Sequence, residues 1–376
     1  VTKSLRIKNL RAHLFRAPCK EPLVTSFGTV LSRPALLIRA EEEDGTVGWG
    51  EIWCTFPVAA PEYKATLIEQ VMAPLIEDRD WESPEEINQT LARETHIQAL
   101  QAAEPGTFAG LVAGIDIAVW DVAARKAKQP LWKFLGGSSD GSMPIYGSGL
   151  NPDHPERLAA ARQADGYIGF KLKVGFGKQR DLSNLETLRK TIGDNAQLLT
   201  DANQAWDLDT AITMAKEIAP FNVMWLEEPM PVDRSPAEWK ALAQMSPVPL
   251  AGGENMFDDG TFDDAISLGA LSFIQPDITK WGGFTGCLRV ATRINQGGRV
   301  YCPHYLGGAI GVLASAHLLA AVGGDGLLEV DINPNPLREE MLNAPLPISA
   351  GRLNLPETPG LGFTPDLDRL AEFAVT

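Results

Sequence analysis

Cysteine, histidine, basic residues and phosphate-binding loops are all scarce in this chain, and each scarcity excludes something. The four cysteines, Cys19, Cys54, Cys287 and Cys302, are scattered without CxxC spacing. They signal neither a zinc site nor a disulfide framework, and reduced thiols in the cytoplasm are the expected state. No apolar run is read as a membrane span and no basic-then-apolar N-terminus marks secretion, so the Asn88-Gln89-Thr90 sequon carries no weight. Lysine and arginine number 33 against 48 acidic residues, a formal net charge of −15. That balance excludes nucleic acid and anionic membrane surfaces as partners and leaves a small anionic substrate needing a locally positive site. Neither GxGxxG nor GxxxxGK[ST] occurs, which removes the usual phosphate cradles.

What the chain does have is length and a repeating charge. Its 376 residues, 44% of them hydrophobic, allow a barrel with a modest companion. Lys171 and Lys173 stand two apart on the apolar run Ile168 to Val174, so in a strand they point to the same face, the one normally reserved for core. Five more strand-like runs end in Asp201, Glu227, Glu254, Asp277 and His304. Successive members, counted from Lys173, stand 28, 26, 27, 23 and 27 residues apart. Each interval holds one strand, one helix and two short loops. Charge at the C-terminal ends of successive barrel strands reads as catalytic, whereas solvated loop acids or snorkelling surface lysines would be the structural alternative.

Organisation follows the same logic. Residues 4–17 and 34–53 read as an antiparallel meander, followed by helices over 62–78, 84–98 (opened by Ser83-Pro84-Glu85-Glu86) and 108–128. From Met143 short apolar strands near 144, 170, 199, 225, 251, 274, 301 and 328 alternate with amphipathic helices, which predicts α/β architecture with a parallel sheet. Eight strands at this spacing favour a closed barrel. The division expected is an N-terminal α+β capping domain over 1–137, completed by a tail over about 346–376, and a barrel over 138–345.

These residues resemble the mandelate racemase group of the enolase superfamily, over nearly the whole length. Gly48-Trp49-Gly50-Glu51 and Asp116 to Asp121 through Gly136-Gly137 are similar to that group's capping domain. Lys171-Leu172-Lys173 resembles its KxK motif, Asp201-Ala202-Asn203, Glu227-Glu228-Pro229 and Gly253-Glu254-Asn255 its three metal strands, Asp277 and His304 its Asp-His dyad, and Glu329 its eighth-strand glutamate. The resemblance implies a modified TIM-type barrel, (β/α)7β, with an α+β cap, acting on a small carboxylate with Mg²⁺; assembly as a homo-oligomer, dimer to octamer, is expected.

Physical chemistry leads the same way. Asp201, Glu227 and Glu254 would repel one another in a low-dielectric barrel mouth unless a divalent cation neutralised them, and oxygen-only ligation suits Mg²⁺ better than zinc. Glu228 is expected to alternate outward. Lys173 is the candidate base, its pKa lowered by Lys171, partial burial and Mg²⁺; His304, oriented by Asp277, is the candidate acid or second base. Asn203 and Glu329 are candidates to hold charge on substrate oxygens. Ser26, Phe27, Trp53 and Phe56 sit on capping loops expected to choose the substrate, with interdomain packing as the alternative for the aromatics. Removal of the proton α to a carboxylate, giving a metal-stabilised enediolate, leads to dehydration of an acid sugar to a 2-keto-3-deoxy acid, the favoured outcome on the family's habits. Racemisation or epimerisation and cycloisomerisation remain open on the same geometry. A silent binding barrel would be expected to lack one of these residues, and a metal-dependent hydrolase to show His-x-His where Ile145-Tyr146-Gly147 stands.

Overall fold

The computed structural model describes residues 4–342 and 344–375. Its first layer is an antiparallel meander, Leu5–Thr25, Gly28–Glu42 and Val47–Ile52, with Asp80–Trp81 added beside the first strand. The strands run longer than the sequence reading, and their first hairpin turns at Ser26-Phe27. Three helical stretches pack behind them. The first runs Ala60–Leu67, relaxes into one π-helical segment over Ile68–Met72 and resumes over Ala73–Ile76. The second, Pro84–Gln101, opens where expected, Ser83 Oγ accepting the Glu86 N–H.

Pro105–Lys126 is the third, and it corrects the sequence reading of apolar runs. Its 22 residues are long and apolar enough to cross a membrane, but 89% of the apolar window is buried inside the protein, as in a core helix. Its face meets the meander so closely that a Cβ on Gly50 would lie 1.9 Å from the Gly114 carbonyl oxygen. Only glycine permits that approach, which gives the Gly-Trp-Gly-Glu run a packing role.

The second layer is the barrel. Eight strands, Ser142–Leu150, Gly169–Lys173, Gln197–Asp201, Val223–Glu227, Leu250–Gly252, Phe273–Ile274, Val300–Tyr301 and Leu328–Asp331, alternate with helices, and the eighth pairs in parallel with the first, Leu328 opposite Ile145. The fold is a (β/α)7β barrel. Between the seventh and eighth strands no backbone ladder occurs among the described residues; the Leu327 N–H points to Cys302 Sγ at 3.4 Å instead. Alternation along the strands sends Phe170, Leu172, Leu198 and Leu226 outward into the core shared with the helices. Tyr146, Leu199, Trp225, Ala251 and Cys302 point inward and form a hydrophobic floor, with the Tyr146 and Trp225 rings edge-to-face at 5.3 Å. Below, Arg352–Asn354 pairs antiparallel with the start of the first barrel strand. The chain then meets the cap, where the Leu361 N–H donates to Asp121 and the Val375 N–H to the Leu14 carbonyl.

Candidate active site

Above the aromatic floor lies a layer of charge. Lys171, fully buried, places Nζ 2.6 Å from Glu227 Oε1, 2.7 Å from Glu329 Oε1 and 5.6 Å from the Tyr146 ring centroid. Lys173, one pleat nearer the mouth, donates to Asp201 Oδ2 at 2.5 Å. Glu227 is fixed on its other oxygen by the Trp225 indole at 3.0 Å and the Gln275 amide at 2.8 Å. Crowding by buried acids shows in its carboxyl, pushed up to about 7 by burial, against the pull of Lys171, with Asp201, Glu329 and Glu254 adding to the rise.

The histidine end is equally determined. Thr279 donates its N–H and hydroxyl to Asp277 Oδ1, at 2.8 and 2.6 Å, which leaves Oδ2 to meet His304 Nδ1 at 2.8 Å. His304 Nε2 faces Glu254 Oε2 at 2.8 Å. Burial pulls the imidazole down, but Glu254, Glu329 and Asp277 outweigh it and push it up to about 10.

All eight predicted catalytic and ligand residues therefore gather at one end of the barrel. Lys173, Glu254 and His304 face a cavity of about 670 Å³ between barrel and cap, also lined by Ser26, Phe27, Trp53, Phe56 and Asn203. Lys171, Asp201, Glu227, Asp277 and Glu329 lie beneath it. The cap closes the cavity with an aromatic cluster, Phe27 to Phe56 at 5.3 Å and Trp53 to Phe56 at 6.1 Å between ring centroids. Ser26 Oγ donates to the Asn203 carbonyl at 2.7 Å. Asn203 itself adopts a left-handed backbone (φ 43°), its N–H bound to Asp201 Oδ1 at 2.8 Å, and its side-chain oxygen is buried with no hydrogen-bond partner among the described residues.

The three carboxylates expected to hold the cation each pair with a neighbouring basic side chain here: Asp201 with Lys173, Glu227 with Lys171 and Glu254 with His304. Burial, the largest influence, and Lys171 pull the Lys173 amine down, yet Asp201 and Glu254 together hold it above its ordinary value. One expectation needs correction. Glu228 does not point outward: strand alternation ends at Glu227, Glu228 takes φ 37°, and its carboxylate turns into the cavity, accepting the Asn255 amide at 2.9 Å. Burial, with Glu254 and Asp201 nearby, pushes it up to about 8.

Two basic residues of the cavity wall escaped the sequence reading. Lys280 lies 4.5 Å from the Trp53 ring centroid and 3.4 Å from Glu254 Oε1; its position three residues after Asp277 was the available signal. Arg33, on the second cap strand, meets Asp331 across the interface, and nothing local to either residue announces that pairing.

A capped (β/α)7β barrel with lysine, carboxylate and histidine groups on its strand ends is an enzyme scaffold of the enolase type. Residues 10–136 match the family model described as mandelate racemase / muconate lactonizing enzyme, N-terminal domain, and residues 155–369 that described as enolase C-terminal domain-like. The chain belongs to the mandelate racemase/muconate lactonizing enzyme family of the enolase superfamily. Among its relatives, D-galactarolactone cycloisomerase of Agrobacterium fabrum is 30% identical, over 98% of this chain and 99% of that protein. Arabinonate dehydratase of Saccharolobus solfataricus is 27% identical over 86% of each. The crystal structure of a mandelate racemase/muconate lactonizing enzyme from Bordetella bronchiseptica superposes with a TM-score of 0.93 at 47% identity, covering 98% of this chain and 99% of that one. A racemase from Streptomyces coelicolor, solved with bound magnesium, gives 0.89 at 28% identity, covering 98% and 100%.

Proposed function

We propose that this enzyme removes the proton α to the carboxylate of a small polyhydroxy acid and then expels the β-hydroxyl, giving a 2-keto-3-deoxy acid. The observation that carries the reading is the placement of two different proton carriers, Lys173 on the second strand and the Asp277-bound His304 at the seventh, on the same cavity. The donor set for the cation fits Mg²⁺. Asp201, Glu227 and Glu254 offer only oxygen, stand at or just past the ends of adjacent strands, and are crowded enough to raise Glu227. Magnesium, when bound there, supplies positive charge that orients the substrate carboxylate and stabilises the negative charge developing on it.

The rest falls to the protein's own groups. Lys173, which would lose its proton once a cation rather than the amine neutralises Asp201, takes the α-proton, and Lys171, held by Glu227 and Glu329, keeps positive charge beside it. The C–H electron pair moves into the carboxylate and returns to form the Cα–Cβ double bond as the β C–O bond breaks. His304 gives its Nε2 proton to the departing hydroxyl, which leaves as water, and the enol product tautomerises to the keto acid. Asn203, on the cavity wall, would donate its side-chain amide to a substrate oxygen, and Glu329 would act beneath it by holding Lys171. The division into a cap over 1–137 with a returning tail and a barrel over 138–345 belongs to the same proposal, with the cap excluding water.

The likeness to D-galactarolactone cycloisomerase supports a second outcome, elimination or addition within the substrate in place of water loss. One experiment separates the outcomes. With acid sugars and Mg²⁺ in D₂O, His304→Asn is expected to stop product formation while still exchanging the α-proton, and Lys173→Ala to stop both. In a two-base racemase each variant would instead exchange one enantiomer only. Full turnover in either variant refutes both schemes.

A further inference from the structure

Beside the cavity over the charged layer lies a second one of about 440 Å³, and Trp53, Glu254, Asn255 and Lys280 line both. Three ionisable groups stand in the wall of this side chamber, Lys64, Lys280 and Glu254. Glu254 already faces His304 Nε2 at 2.8 Å. Lysine is therefore in surplus there, in a chain whose net charge is −15.

Neither ammonium is well matched by the protein. Lys280 Nζ has Glu254 Oε1 and Asn255 Oδ1 both at 3.4 Å, whereas a charge-assisted bond closes to about 2.7–2.9 Å, and its side chain is 14% exposed. Lys64, on the cap helix Ala60–Leu67, is 7% exposed and donates to the Trp53 carbonyl at 2.7 Å. No carboxylate pairs with it among the described residues, although a lysine so deeply buried ordinarily has a partner. Burial pulls its pKa down and Lys280 adds to the fall, against Cys54, Asp277 and Glu104. The two ammoniums gather round one ring, with the Trp53 centroid 5.8 Å from Lys64 Nζ and 4.5 Å from Lys280 Nζ. Their mutual repulsion, and the burial of Lys64, are both relieved by an anion that enters the chamber.

We infer that the side chamber is an oxyanion site formed by Lys280 and Lys64, which receives a second carboxylate of the substrate and so makes that substrate a hydroxylated dicarboxylic acid. This rests on the proposed function, because it needs the first carboxylate anchored over the charged layer. Lys280 and Lys64 stand outside the groups that move protons, so they act on binding more than on chemistry.

The test measures kcat and KM at saturating Mg²⁺ on hydroxylated dicarboxylic acids and on monocarboxylic acids of matched length and hydroxylation. Lys280→Gln and Lys64→Gln are compared with wild type, since glutamine removes the charge yet keeps an N–H for the Trp53 carbonyl. Wild type is expected to prefer the diacids, and the ratio of kcat/KM for diacid over monoacid to fall about 10- to 100-fold in each variant, mainly through KM. A wild type that turns over the monoacids as well as the diacids overturns the inference and leaves the proposed function standing. An unchanged ratio in either variant does the same. A wild type that neither turns over nor exchanges the α-proton of any of these acids overturns the proposed function, and this inference with it.

Discussion

Replacing Glu51 by alanine removes a strut between the two layers. Its carboxylate, 3% exposed, accepts the Gly308 N–H at 2.8 Å and the Gly311 N–H at 2.9 Å. Those amides open the barrel helix Ala309–Val322, whose N-cap, Gly308, offers no side chain of its own. A cap-domain acid thus finishes a barrel helix, immediately after the run from His304 to Gly307. Each buried N–H left without an acceptor costs about 1–3 kcal/mol, and losing the charge at a helix N-terminus adds about 0.3–1 kcal/mol. The expected destabilisation is about 2–7 kcal/mol. Glu51→Gln keeps a single acceptor oxygen and should lose about half as much. Urea denaturation of the three proteins would measure the order, and hydrogen exchange of the Gly308 and Gly311 amides would locate the change. Glu51→Ala within about 1 kcal/mol of wild type, with both amides still protected, would refute the reasoning, since that is the range of an ordinary surface substitution.

Chelation should abolish turnover and Mg²⁺ restore it, with Glu254→Gln weakening Mg²⁺ binding by calorimetry; full activity in chelator would contradict the ligand assignment. Deleting residues 22–28, which carry the turn at Ser26, should impair turnover while the barrel keeps its circular dichroism, and unchanged kinetics on every substrate would show that the turn does not close the site. Asp116 predicts a pH effect on stability. Burial pushes its carboxyl up to about 7, even though Thr285 and Asn88 donate to it. Because the folded value lies above the unfolded one, its contribution is present below about pH 4 and is lost as pH rises through 7. Asp116→Asn should therefore gain on wild type by a few kcal/mol between those limits; parallel stability curves for the two proteins would count against it.

The barrel and its charged mouth were legible because both are one-dimensional patterns. A strand ends in a charge at a nearly constant interval, and pleat alternation decides which side chains share a face, as for Lys171 and Lys173. Alternation stops where the strand stops, and that is where the reading failed. Glu228 follows the last strand residue in a left-handed conformation, so its side chain enters the cavity that period-two counting assigns to its neighbour. The partner of Lys173 was hidden for a related reason. The sequence shows the neighbouring lysine but not that Asp201, 28 residues away, meets the amine. Arg33 and Asp331 lie 298 residues apart in different layers, and no local signal encodes that encounter. In the cap the helices were visible, but the π-helical segment over Ile68–Met72 was not, because a single widened turn leaves the apolar spacing nearly intact.

The bond from Ser26 to the Asn203 carbonyl sets a thermodynamic scale for entry. Lifting the turn at Ser26-Phe27 breaks that one hydrogen bond and the edge-on contact between Phe27 and Phe56. Each is worth about 0.5–1.5 kcal/mol, so together they form a latch of about 1–3 kcal/mol. Closed molecules would then outnumber open ones by about 5 to 150, a ratio that lets substrate arrive by ordinary fluctuation, without unfolding of either layer. The latch also has a mechanical side. Its acceptor residue is the one whose backbone N–H positions Asp201, so the motion that admits a ligand pulls on the neighbour of a carboxylate in the charged layer.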